Sequence, residues 1–127
     1  MAPPRISAAE SVIMEALWAR GPLGAEEIVA EVAPGQGWGE ATVRTLIARL
    51  IKKGAAASER TGARVVYAPR VSREAYVTAE SQGLLDRLFG GQVAPLVAHF
   101  TRTTTLSPED RARLRRLLDD LDAEEGE

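Results

Sequence analysis

Apolar side chains recur at helical spacing along most of this chain, with polar ones in the gaps. Taken as a helix at 100° per residue, Glu40 to Lys53 gathers Val43, Leu46, Ile47 and Leu50 on one side, with Ala41, Arg44, Thr45, Ala48, Arg49 and Lys52 on the other. Upstream, Ser7-Ala8-Ala9-Glu10 has the spacing of a capping box, in which Ser accepts from an exposed amide and Glu bonds back. It opens a helix whose one face is Ala9, Val12, Ile13, Ala16 and Leu17 and whose end is marked by Arg20-Gly21-Pro22. Leu23 is placed to add a short strand to a later hairpin. Ala25 to Ala33 predicts a shorter helix, apolar at Ile28, Val29 and Val32, with Glu26, Glu27 and Glu31 outward. Ala33-Pro34-Gly35-Gln36-Gly37 is expected to break that helix and turn the chain. Trp38, just ahead of the next helix, is expected to staple this turn to the core, with a contact to a nucleic-acid backbone as the alternative.

After Gly54 the apolar period falls from 3.6 towards 2. Ala55 to Arg70 predicts two short strands around a Thr61-Gly62 turn, closed by Pro69, with Arg60 and Arg64 near the tip. Beyond it the helical period returns. Ser72 can cap a long helix to about Phe89, with Tyr76, Leu84, Leu85, Leu88 and Phe89 apolar, stopped by Gly90-Gly91. A second helix carries Val93, Leu96, Val97 and Phe100, with Pro95 acceptable in its first turn, and Thr101 to Thr105 is expected to break it. Ser107-Pro108-Glu109-Asp110 is a strong helix start, followed by Leu114, Leu117, Leu118 and Leu121 at i, i+3, i+4 and i+7. The tail from Ala123 to Glu127 is expected to fray.

The expected fold is therefore mainly α with a small β-hairpin: a winged helix-turn-helix domain over residues 1–70 and a helical domain over 71–127. Charge sharpens this division. From Thr42 to Arg70 seven positive side chains meet one acid, Glu59, whereas the whole chain of 127 residues carries −2. Phosphate neutralisation needs a local patch and not a basic total, so a mildly acidic chain with one concentrated basic segment has the outline of a nucleic-acid binder. Residues 71–127 hold seven basic side chains against eleven acids and are not the expected contact. Their leucine stripes are thin for a self-sufficient core and suggest a dimerisation arm, at Leu84, Leu88, Leu96, Phe100, Leu114, Leu117, Leu118 and Leu121; an ordinary intrachain bundle is the alternative.

On the helix from Glu40 to Lys53, small residues permit close approach. Arg44 presents a planar donor fork suited to guanine O6 and N7, and the Thr45 methyl suits a thymine methyl. Lys52, Lys53, Arg60 and Arg64 are expected on phosphates, with Arg49 beside them. A solvated basic face would show the same composition, and a basic face that meets an acidic protein is the rival functional reading.

Other chemistry is poorly supplied. There is no cysteine, which excludes disulfides, thiolate metal sites and thiol catalysis. The single histidine, His99, has no second ligand or acid placed to complete a metal or catalytic site, and Gly35-Gln36-Gly37-Trp38-Gly39 lacks the glycine and preceding strand of a dinucleotide loop. No enzyme, metal or cofactor is expected. Met1 to Ser7 lacks the apolar region of a signal peptide, and no apolar run nears the roughly 18 residues of a membrane span, so no membrane insertion and a cytoplasmic location are expected.

Thr42-Val43-Arg44-Thr45-Leu46-Ile47-Ala48-Arg49-Leu50-Ile51-Lys52-Lys53-Gly54, with Ser7 to Trp18 and Leu88-Phe89-Gly90-Gly91 through Val97, resembles the penicillinase repressor family of the BlaI/MecI/CopY type. The resemblance implies a homodimeric winged-helix transcriptional repressor on a palindromic double-stranded DNA operator. It maps Thr42, Arg44 and Thr45 to the operator-reading helix and Arg60, Arg64 and Tyr67 to the wing. In the β-lactam branch it further implies inactivation by a membrane sensor protease at an Asn-Phe bond, whose counterpart here is His99-Phe100. The copper-responsive branch uses C-terminal cysteines, which this chain lacks, and Ala55-Ala56-Ala57 stands where the family's first wing strand has bulky apolar residues.

Overall fold

The computed structural model describes residues 3–126 as six helices and one antiparallel hairpin. In order these are α1 (Ala8–Arg20), α2 (Ala25–Gln36), α3 (Glu40–Lys53), β1 (Ala56–Thr61), β2 (Arg64–Pro69), α4 (Arg73–Phe89), α5 (Val93–Thr103) and α6 (Pro108–Glu125). The chain divides into two compact units, Met1–Ser81 and Gln82–Glu127.

In the first unit α1, α2 and α3 pack around one core, and the apolar periods read from the sequence supply most of the faces they bury, with Met14 added and Ala9, Val12 and Val29 only half-buried. Ile13, Met14 and Leu17 of α1, Ile28 and Val32 of α2, and Val43, Leu46, Ile47 and Leu50 of α3 are all buried. Trp38 packs half-buried against this core, as the turn-stapling reading expected. The hairpin pairs Ala56 with Pro69 through Thr61 with Arg64. Its two-residue turn has Gly62 at φ 64° and Ala63 at negative φ, the signs of a type II′ turn, which matches the twist of the flanking strands. Leu23 joins β2 through a bridge to Tyr67, with N···O distances of 3.1 and 2.8 Å, as a third, one-residue strand. Ala55 and Ala56, small where bulk was expected, are fully enclosed at the start of β1, and their size lets the strand lie close against the core.

Three boundaries differ from expectation. Pro34 does not break α2, which runs on to Gln36, because a proline in the last turn forfeits a single ladder bond. The stop falls at Gly37, left-handed at φ 70°, where the Gly37 and Trp38 N–H groups both donate to the Ala33 carbonyl. Thr101 to Thr103 likewise belong to α5, because the Thr101 and Thr103 hydroxyls donate back to the carbonyls of Ala98 and His99 instead of competing with the helix. The tail stays helical through Glu125; Glu127 lies outside the described residues.

One buried charge ties the first unit together. Ser7 and Glu10 form the expected capping box, but Glu10 is also the one charged residue of the described core, only 1 % exposed. Its Oε1 accepts from the Ser7 backbone N–H at 2.8 Å and from Lys53 Nζ, at the far end of α3. Lys53 also donates to the Arg5 carbonyl at 3.1 Å. Burial alone would push the Glu10 carboxyl up, but the bonds from Lys53 and Ser7 outweigh it and hold the group below its usual range.

A lowered folded-state value stabilises the fold above the ordinary glutamate range, and that stability is lost as the pH falls from about 4.3 through the lowered value. Lys53→Met strands the carboxylate and should cost about 2–3 kcal/mol, at or below the lower end of the range for broken buried pairs because the ammonium is partly solvated. Glu10→Gln leaves Lys53 free to reach water and should cost less, with a flatter acid limb. Urea melts between pH 3 and 7 check both, and equal costs for the two substitutions would refute the asymmetry.

Candidate nucleic-acid interface

The outward face of α3 is built by its inward one. With Val43, Leu46, Ile47 and Leu50 fixed in the core, the helical period leaves Ala41, Thr42, Arg44, Thr45, Ala48, Arg49 and Lys52 exposed. The helix is capped by Gly54, left-handed at φ 81°, which sends the chain directly into β1 and sets the hairpin beside α3. Its surface is low-relief. Ala41, Thr42, Thr45, Leu46 and Arg49 line a shallow depression of about 340 Å³, and Ala25, Arg44, Ile47, Ala48, Ile51 and Tyr67 line a smaller one of about 120 Å³. The Thr45 hydroxyl donates to the Ala41 carbonyl at 3.0 Å, which fixes its rotamer.

Acids hold two of the arginines in this surface. Arg44 Nε donates to Glu40 Oε2 at 3.1 Å, one helical turn back, with both groups solvated. Arg64, at the start of β2, is ion-paired with Glu27 of α2. Glu27 also accepts the Gly24 N–H at 2.9 Å, and that bond first, with Arg64 second, holds its carboxyl below the usual range. Neither pairing figured in the sequence reading. The Glu40-Arg44 pair was available from its i, i+4 spacing, whereas Glu27 and Arg64 are 37 residues apart and meet only in the fold.

The other expected contacts divide. Arg49, Lys52 and Arg60 are exposed and carry no ion pair among the described residues. Lys53 differs from them: its ammonium donates to the Glu10 carboxylate and to the Arg5 carbonyl, which ties it to the edge of the core. Tyr67 sits in the middle of β2, half-buried against the core, and not at the tip of the hairpin. In the second unit no residue of α5 or α6 is buried, and those two helices do not pack face to face. Leu88, Leu117, Leu118 and Leu121 are all more than half exposed, with Leu84, Phe100 and Leu114 also open and Leu96 half-buried. His99 lies between the Phe89 and Phe100 rings, with centroids at 6.0 and 5.6 Å. No group of His and carboxylates able to hold a metal occurs among the described residues, and no described helix is long and apolar enough to cross a membrane.

Comparison with known proteins places this arrangement. Residues 6–120 match the family model described as penicillinase repressor. The chain is 30 % identical over 117 residues to the penicillinase repressor of Bacillus licheniformis, covering 92 % of this chain and 91 % of that protein. It is 28 % identical over 113 residues to the methicillin resistance regulatory protein MecI of Staphylococcus aureus, covering 89 % and 92 %. Among solved structures, the DNA-binding domain of the repressor BlaI superposes with a TM-score of 0.52 at 32 % identity, over 60 % of this chain and 94 % of that one. The monomeric form of Bacillus licheniformis BlaI in complex with the blaP half-operator gives 0.54 at 32 % identity, over 58 % and 90 %. The named relatives are repressors and regulators, not enzymes. The chain belongs to the penicillinase repressor family, and its first unit has the winged-helix fold of the BlaI DNA-binding domain.

Proposed function

We propose that this chain is a homodimeric transcriptional repressor that lays α3 in the major groove of a palindromic operator. The observation that carries this reading is the division of α3 itself: every bulky residue of one stripe is buried, and the opposite side offers small residues, threonines and cations, with Glu40 at its start and Ile51 near its end as the exceptions. In this reading Thr42, Arg44 and Thr45 face base edges, with Arg44 bidentate to a guanine and Thr45 against a thymine methyl. Arg49, Lys52 and Arg60 hold phosphates, and Arg64 can join them by leaving Glu27. The likeness to a BlaI form bound to a half-operator supports it, since a half-site calls for a second copy on the other half.

Dimerisation is supported by the second unit's open leucines, which find no cover within their own unit. Release by a sensor protease at His99-Phe100, the family's mode in the β-lactam branch, has a structural condition here. The bond lies inside α5, and a protease binds its substrate extended, so the helix must unwind before it is cut.

The rival reading, a winged-helix module for an acidic protein partner, is separated by salt. Operator binding should lose affinity steeply and linearly in log-log form and should prefer a twofold sequence, whereas a protein module shows no sequence preference. Arg44→Ala should cost about 1–3 kcal/mol of operator affinity and relax selection at one base position, read by binding-site selection on the variant. Lys52→Ala should weaken all sequences alike and lower the salt slope by about 1. Lys53→Ala, by contrast, should lower the melting temperature and leave that slope unchanged, and a changed slope with an unchanged melt would return Lys53 to the interface.

A further inference from the structure

Helix α6 carries its charges in an order that its own backbone does not favour. Acids suit the positive N-terminal end of a helix and cations the C-terminal end, yet after Glu109 and Asp110 the first half of α6 is arginine, and its last turn contains no base. The order is also symmetric. Read inward from both ends, Arg111 corresponds to Glu124, Ala112 to Ala123, Arg113 to Asp122, Leu114 to Leu121, Arg115 to Asp120, Arg116 to Asp119 and Leu117 to Leu118. From Arg111 to Glu124 the sequence is a palindrome in which every charge changes sign. None of these arginines or acids is ion-paired among the described residues, although Arg115 and Asp119 stand at i, i+4. The stripe between them is open, with Leu117 60 % and Leu118 62 % exposed.

We infer that α6 pairs antiparallel with α6 of a second copy, about a twofold axis between Leu117 and Leu118. The inference rests on the homodimer reading above and specifies its register. Antiparallel alignment lays the arginine half of one helix along the acidic half of the other, on both edges of the leucine stripe at once. Helical angles then direct Arg113 towards Asp120 and Glu124 of the second copy, and Arg111 towards its Asp122 and Glu125. A parallel alignment would set arginine beside arginine and acid beside acid, and that like-charge repulsion disfavours it. A twofold interface is self-complementary, and a sign-inverting palindrome is the sequence form that antiparallel self-complementarity takes in a charged helix.

The test is charge reversal in the full chain, followed by sedimentation equilibrium at low salt. Arg111→Glu, Arg113→Glu and Arg115→Glu together leave Arg116 as the one cation of α6, and Asp120→Arg, Asp122→Arg and Glu124→Arg together make the helix predominantly basic. Each triple variant should self-associate at least about tenfold more weakly than the natural chain. An equimolar mixture should form mixed dimers, seen by native mass spectrometry, and all six changes in one chain should restore self-association. Helicity lost in the separate variants and regained on mixing also supports the pairing. Natural-sequence dimers that tolerate both reversals, or variants that fail to associate on mixing, would overturn the register and leave the homodimer standing. A natural chain that stays monomeric at about 100 µM would sink the homodimer reading itself.

Discussion

A carboxylate cannot stay charged inside a protein without partners, and the position of Glu10 is the constraint on which the first unit depends. Its charge is met from two directions: the Ser7 amide at the start of α1 and the Lys53 ammonium at the end of α3. The beginning of one helix is thereby registered against the end of another, 43 residues later. Hydrophobic packing sets how deeply α3 lies against α1 and α2. It is weakly directional, and the ion pair with its fixed donors narrows how α3 is turned and where it ends. What α3 shows to solvent follows from that rotation.

The same surface is electrostatically guarded. Arg44 is held by Glu40 and Arg64 by Glu27, so two of the exposed arginines on this side of the first unit are already paired. These pairs are exposed and individually weak, and a phosphate or guanine edge competes with them at small cost. On the proposed operator reading their effect falls on selectivity more than on strength: Glu40 adds a negative charge to the face that would meet DNA, which penalises contacts in which Arg44 gains no base.

Much of this architecture was legible in the sequence because it depends on period and punctuation. The core stripe of α3, the Ser7–Glu10 capping box, the hairpin with its glycine turn, the Leu23 strand and the leucine stripe of α6 are all local patterns. Pro34 and the threonines of α5 misled because a proline or a β-branched residue is judged by average propensity, whereas in a last turn the lost bond is single and the hydroxyls have carbonyls to reach. The contact of Lys53 was illegible for another reason. Its neighbour Lys52 is the same residue with the same charge, and only the fold, by bringing Glu10 beneath the helix end, gives the two lysines different surroundings. The Arg64-Glu27 contact was equally invisible, since a pair so distant in sequence leaves no periodic trace.

The chain leaves the hairpin under restraint. The Trp18 indole N–H donates to the Val71 carbonyl at 2.8 Å, the Tyr76 ring lies 5.4 Å from the Trp18 ring, and Arg73 donates to both carboxylate oxygens of Glu15. Three different kinds of contact thus fasten Val71 and the first turn of α4 to a single helix, α1. A load that reaches that turn is passed to α1, and α1 is tied through its buried acid to the helix that carries Arg44.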